Sequence, residues 1–137
     1  MSEIRYIFHI SDIHISSQNF VNIRQSFYVL IQDIIKLGIE QSMLVIAGDI
    51  FEHKTSLSTD ELFMFKDICR KLNEYKINTL MIPGNHDYNI NSYLAVDNVS
   101  TLFYGDTISC YNTTSKIQRK NIEFYIYIGI IGTIGTV

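Results

Sequence analysis

Met81-Ile82-Pro83-Gly84-Asn85-His86-Asp87 is the stretch on which the fold turns. The apolar run of residues 79–82 has the pattern of a short buried strand. It stops at Pro83-Gly84, and an amide, an imidazole and a carboxylate follow at once. A strand ending in such a loop presents those groups at the edge of a sheet, where open α/β folds bind their ligands. Two earlier stretches repeat the design. Phe8-His9-Ile10-Ser11-Asp12-Ile13-His14 is a strand followed by Asp-x-His, and Leu44-Val45-Ile46-Ala47-Gly48-Asp49 is a strand followed by Gly-Asp. Three strand ends thus deliver Asp12, His14, Asp49, Asn85 and His86. Oxygen and imidazole donors without thiolate suit manganese, iron or zinc better than a structural zinc site.

Between these strands the spacing predicts helices. Phe20, Ile23, Phe27, Leu30, Ile31, Ile34 and Ile35 recur at three- and four-residue steps, which predicts an amphipathic helix over residues 19–37. Asn19 is read as its N-cap and Gly38 as the residue just past its end. Ser58 and Glu61 have capping-box spacing, so a second helix is expected over residues 59–75, with Leu62, Phe65, Cys69 and Leu72 as its buried stripe. Strands are expected at 5–10, 43–47 and 79–82. The order is βαβαβ, the pattern of a parallel sheet with right-handed crossovers. Beyond Tyr88 the signals thin to a short helix within 92–103, a strand at 107–111 and a hairpin of 116–119 with 122–128, turning at Lys120-Asn121.

Composition sets bounds on these readings. At 137 residues, 47% hydrophobic and 18% charged, the chain is one domain or part of one, with ample apolar material for a core. A net charge of −3 gives no basic footprint, so any nucleic-acid affinity must come from metals, a local patch or a partner. Cys69 and Cys110 match no metal spacing, and Cys69 is read as a core residue in a reducing compartment. The N-terminus enters strand-like sequence at once, so no signal peptide is expected; no apolar run reaches the length needed to span a membrane, and the location is read as intracellular, cytoplasm or nucleus. Residues 129–137 are of low complexity and end without a stop signal, so the domain, 1–137, is read as incomplete at its C-terminus. His9, inside the first strand, is read as a core or edge histidine rather than a ligand.

A lone Asp-x-His or Gly-Asp is ordinary turn chemistry. Recurrence in three consecutive strands makes the set specific. Asp12-x-His14, Gly48-Asp49 and Gly84-Asn85-His86-Asp87, in this order and spacing, resemble the first three motifs of the calcineurin-like metallophosphoesterases. Gly48-Asp49-Ile50-Phe51 is similar to the Gly-Asp-Leu-Phe of the SbcD-type double-strand-break repair nucleases, whereas Glu52, His53 and Asp87 depart from the serine/threonine phosphatase pattern. The resemblance covers roughly residues 5–90. It implies the N-terminal part of an αββα sandwich, with the parallel sheet followed by strands of a second sheet.

The resemblance also implies two divalent ions, manganese first, with iron, zinc or magnesium as alternatives. Asp12 and His14 would hold the first ion, Asp49 would bridge both, and Asn85 would ligate the second through its amide oxygen. His86 would face the scissile phosphate as a catalytic group, with Asp87 setting its tautomer. DNA, a homodimer partner and an SMC-like ATPase are the partners the resemblance implies. In the repair nucleases a histidine often stands three residues after the Gly-Asp aspartate. That position here is Glu52, so His53 is read either as a substrate-positioning group or as a solvated loop histidine. The family completes its site with later histidines, including a Gly-His-x-His motif, and none follows His86 here. The expected function is two-metal hydrolysis of a DNA phosphodiester. The alternatives are a metallophosphoesterase of nucleotides or small diesters, and a non-catalytic truncated or degenerate copy.

Overall fold

A computed structural model of the chain describes residues 2–52, 58–82, 107–111 and 114–127. Four strands form one parallel sheet in the order β1 (Tyr6–Ile10), β2 (Ser42–Ala47), β3 (Thr79–Ile82), β4 (Ile108–Cys110). Helix α1 (Phe20–Leu37) crosses from β1 to β2, and α2 (Thr59–Glu74) precedes β3. A second, two-stranded antiparallel sheet consists of β5 (Ser115–Arg119) and β6 (Ile122–Ile126), turning at Lys120-Asn121 as expected. The strand foreseen at 107–111 joins the first sheet beside β3, in parallel register from Thr79↔Ile108. The helix foreseen within 92–103 lies outside the described residues.

Strand alternation explains the two cores. Residues paired across the sheet point to the same face, and neighbours along a strand point to opposite faces. One face carries Phe8, Ile10, Leu44, Ile46, Met81 and Ile108 and packs on both helices. The helices contribute Ile23, Phe27, Ile31 and Ile34 from α1 and Met64, Phe65, Ile68, Cys69 and Leu72 from α2. The other face carries Met43, Val45 and Leu80, and the β5–β6 hairpin covers it with Ile126, Ile117, Ile122 and Phe124. Covering both faces is why β2 and β3 are apolar almost throughout. The hairpin is clamped at its turn. Asn121 accepts from Ile4 N through Oδ1 and donates to Ile4 O through Nδ2, and the Lys120 ammonium donates to Glu40 O.

Three helix expectations need adjustment. The Ser58 hydroxyl does cap α2, accepting from Glu61 N at 3.1 Å. The buried stripe of α2 is wider than foreseen, and Leu62 is only half-buried. Ile35 of α1 is exposed, because it falls at the margin of a stripe centred on Ile23, Phe27, Ile31 and Ile34. Asn19 stands at the N-cap position but makes no capping bond. Its side chain turns back to the loop before it. His9 is exposed on β1, which lies at the edge of the sheet among the described residues, in keeping with the edge reading and not the core one. Among the described residues no helix is long and apolar enough to cross a membrane.

Candidate metal centre

The site begins where β1 and β2 end. Their pairing does not stop at Ile10 and Ile46 but continues, irregularly, through the loops that follow. Asp12 N donates to Gly48 O (3.3 Å), His14 N to Asp49 O (3.1 Å), Ile15 N to Ile50 O (2.7 Å) and Glu52 N to Ile15 O (3.1 Å). Ile15 and Phe51 form a parallel bridge. Apolar residues hold this zipped pair of loops down. Ile15, Ile50 and Phe51 are fully buried, and the Phe51 ring meets that of Phe65 on α2 at 5.3 Å and 55°. With those side chains turned into the core, the polar residues between them remain at the C-terminal edge of the sheet, the place a ligand occupies in this class of fold.

The backbone there is strained. Asp12, His14 and Asp49 all have positive φ (54°, 53° and 51°), and Gly48 has φ 81°. Left-handed backbone is uncommon outside glycine, although Asp and His tolerate it better than most residues. Of the five non-glycine residues with positive φ among those described, three are the candidate ligands. Strain of this kind persists where surrounding structure over-determines the conformation, and it concentrates at functional sites. Asn19 is part of that surrounding structure. Its Oδ1 accepts from Ser16 N (2.9 Å) and its Nδ2 donates to His14 O (2.8 Å), so it fixes the loop that carries His14.

The side chains converge. Asp12, His14 and Asp49 each offer one ligand atom, and these atoms all lie within 4.8 Å of one another. His14 Nε2 is 3.6 Å from Asp12 Oδ1, and His14 Nδ1 is 2.8 Å from Glu52 Oε2. The imidazole is partly covered while Asp12 is largely exposed. Two carboxylates and an imidazole at this spacing repel as anions and opposed lone pairs unless a positive charge stands among them. The set is hard-to-borderline, oxygen and nitrogen without sulfur, the donor chemistry that manganese, iron and zinc accept. The residues present therefore fit a divalent cation. The cysteines do not contribute. Burial, followed by the nearby Cys110, pushes the Cys69 thiol up to about 12, which keeps it a protonated core group.

Of the residues singled out in the sequence, Asp12, His14 and Asp49 are brought together. Asn85, His86, Asp87 and His53 lie outside the described residues. Sequence reading missed two contributors, Glu52 and Asn19. Glu52 figured only as a departure from a motif, and the one signal that could have pointed to it was its place three residues after Asp49 in a loop paired with residues 12–15. Asn19, by its residue type and its place before an apolar stripe, matches a helix cap equally well.

Comparison with known proteins gives three findings. The calcineurin-like phosphoesterase family matches residues 5–134. The DNA double-strand break repair protein Mre11 of Saccharolobus solfataricus is 30% identical over 124 residues, which is 87% of this chain and 32% of that protein. An uncharacterized protein of Acanthamoeba polyphaga mimivirus is 32% identical over 103 residues, which is 74% of this chain and 8% of that protein. The chain spans about a third of the length of the first relative and under a tenth of the second.

Proposed function

The chain belongs to the calcineurin-like phosphoesterases, and we propose that it carries part of a two-metal site for hydrolysis of DNA phosphodiesters, in the manner of a repair nuclease. The observation that carries the metal site is the convergence of Asp12, His14 and Asp49 within 4.8 Å. The DNA substrate rests on the similarity to Mre11 and on the Gly48-Asp49-Ile50-Phe51 run. In this reading Asp12 and His14 would hold the first ion, Asp49 would serve both, and Asn85 would serve the second. Manganese is the first choice of metal. When bound, two such ions supply a nucleophile from water at neutral pH and neutralise charge on the transition state.

The chain's own residues do the rest. Asp12 and Asp49 fix the ions by charge, and the zipped loops keep the two carboxylates from parting. His86 faces the scissile phosphate and delivers a proton to the leaving oxygen, and Asp87 orients its imidazole. His53 helps place the strand. A homodimer partner and an SMC-like ATPase complete the proposed assembly. No histidine follows His86 in residues 1–137, so in this reading the three motifs would offer the second ion Asp49 and Asn85.

Residues 1–137 alone are therefore expected to show little or no nuclease turnover. The test is a manganese-dependent assay on linear duplex DNA, with this chain beside a longer one carrying a downstream Gly-His-x-His. Turnover by the short chain equal to that of the long one would overturn the assignment of missing ligands. One observation favours a second substrate class, nucleotides or small phosphodiesters. The chain is net acidic, at −3, and duplex binding is driven by neutralised phosphates. A small chromogenic diester in the same assay separates the two, since preference for the diester with no cleavage of DNA would select the second class.

A further inference from the structure

Glu52 has no part in the reading above, yet its carboxylate lies closer to His14 than Asp12 does. Its Oε2 is 2.8 Å from His14 Nδ1, while Asp12 Oδ1 is 3.6 Å from Nε2. The approach follows from the backbone. Glu52 N donates to Ile15 O and His14 N donates to Asp49 O, so the two residues flank the buried Ile15–Phe51 bridge. An ionised carboxylate can only accept. The proton of the contact therefore belongs to Nδ1, and the lone pair of the neutral ring belongs to Nε2, on the side of Asp12. A histidine that binds a metal through one nitrogen commonly donates its other N–H to a carboxylate, which fixes tautomer and ring orientation.

We propose that Glu52 is a positioning residue for the metal centre: it holds the His14 imidazole as the Nδ1–H tautomer, with Nε2 presented to a divalent cation shared with Asp12 and Asp49. Glu52 touches the ring and not the ion. The proposal rests on the metal-site reading, and the experiment separates the two. Manganese and zinc binding to the full 137-residue chain is measured by calorimetry for the unmodified protein, Glu52→Ala, Glu52→Gln and Glu3→Gln. Glu3 is an exposed carboxylate remote in the chain, and its variant controls for loss of one charge. In parallel, the zinc-loaded proteins, which are diamagnetic, are examined by long-range proton–nitrogen NMR of the His14 ring.

Loss of the carboxylate in Glu52→Ala should weaken binding by about 10–100-fold, the usual effect of removing such a partner. Glu52→Gln, which keeps an acceptor oxygen at the same reach, should recover much of that loss, and Glu3→Gln should bind within about twofold of the unmodified chain, as expected for a remote surface change. The unmodified chain should show a protonated Nδ1 and a zinc-bound Nε2. Binding by Glu52→Ala within twofold of the unmodified chain would overturn the role of Glu52 and leave the metal site standing. So would a Glu52→Gln loss as large as that of Glu52→Ala, or zinc on Nδ1. No binding by the unmodified chain would overturn the metal site and this role together. Should Glu52→Ala fail to fold, Glu52→Gln carries the test: an upfield move of the Nδ1 proton supports the contact, and an unchanged shift refutes it.

Discussion

Phe51→Ala should both destabilise the protein and loosen the site. Phe51 has no exposed surface, and its ring meets Phe65 at 5.3 Å. It is two residues from Asp49 and next to Glu52, and it bridges to Ile15, so it anchors the loops that carry Asp49 and, through Ile15, His14. Truncating a buried phenylalanine to alanine costs about 3–5 kcal/mol, from lost transfer energy and the cavity left behind. Of that, the ring pair accounts for about 0.5–1.5 kcal/mol. A domain with about 5–15 kcal/mol in total loses a large share of its stability. With a urea slope of about 2 kcal/mol/M, the unfolding midpoint should fall by about 1.5–2.5 M. Phe51→Leu keeps most of the apolar volume and should cost under about 2 kcal/mol. Phe63→Ala is the control, because Phe63 is on the same α2 helix but 67% exposed, and it should stay within about 0.5 kcal/mol. Urea melts followed by far-ultraviolet circular dichroism, with metal titration of the folded variants, make the comparison. If Phe51→Ala costs no more than Phe63→Ala, the loops are held by something other than this wedge.

Asp49→Asn should abolish tight binding of divalent ions, by more than the about 10–100-fold typical of a lost outer partner, as read by calorimetry. In a chain with its site complete, His86→Ala should keep metal binding and lose turnover by about 10²–10⁴-fold, the usual worth of a general acid; loss of metal instead would make His86 a ligand. Cys69 gives a pH signature. Its thiol ionises near 9 ordinarily and at about 12 in the fold, so above pH 9 the unfolded chain gives up this proton first and stability falls as pH rises. That term is worth up to about 1.4 kcal/mol per pH unit. It should be present in the unmodified protein and absent from Cys69→Ala when urea melts at pH 8 and pH 10 are compared.

The sheet and helices were legible because their signals are local and periodic. The α1 stripe of Ile23, Phe27, Ile31 and Ile34 repeats at helical spacing, and β2 is apolar on both faces because both are covered. The place of β4 was not legible. Three residues, Ile108–Cys110, carry no mark of which strand they pair with, and only the closed fold sets them beside β3. In the site, Asp12, His14 and Asp49 could be foreseen because residues just past parallel strands share one end of the sheet. What could not be foreseen was how they are held. Positive φ at an aspartate or histidine leaves no trace in sequence, as it would at a glycine. The loop pairing that carries Glu52 to His14 runs between residues 38 apart in the chain. Asn19 shows the same limit, since a residue suited to capping found a better use for both of its polar atoms in the His14 loop.

Asp12, His14 and Asp49 are proposed to bind a metal ion together. The most direct measurement is an anomalous-difference map from crystals of the chain grown with manganese, recorded for the unmodified protein and for His14→Ala. A strong peak is expected within bonding distance of an Asp12 carboxylate oxygen, His14 Nε2 and an Asp49 carboxylate oxygen, lost or much reduced in the variant. A map with no peak at the ends of β1 and β2, or a peak that persists unchanged without His14, would contradict that proposal.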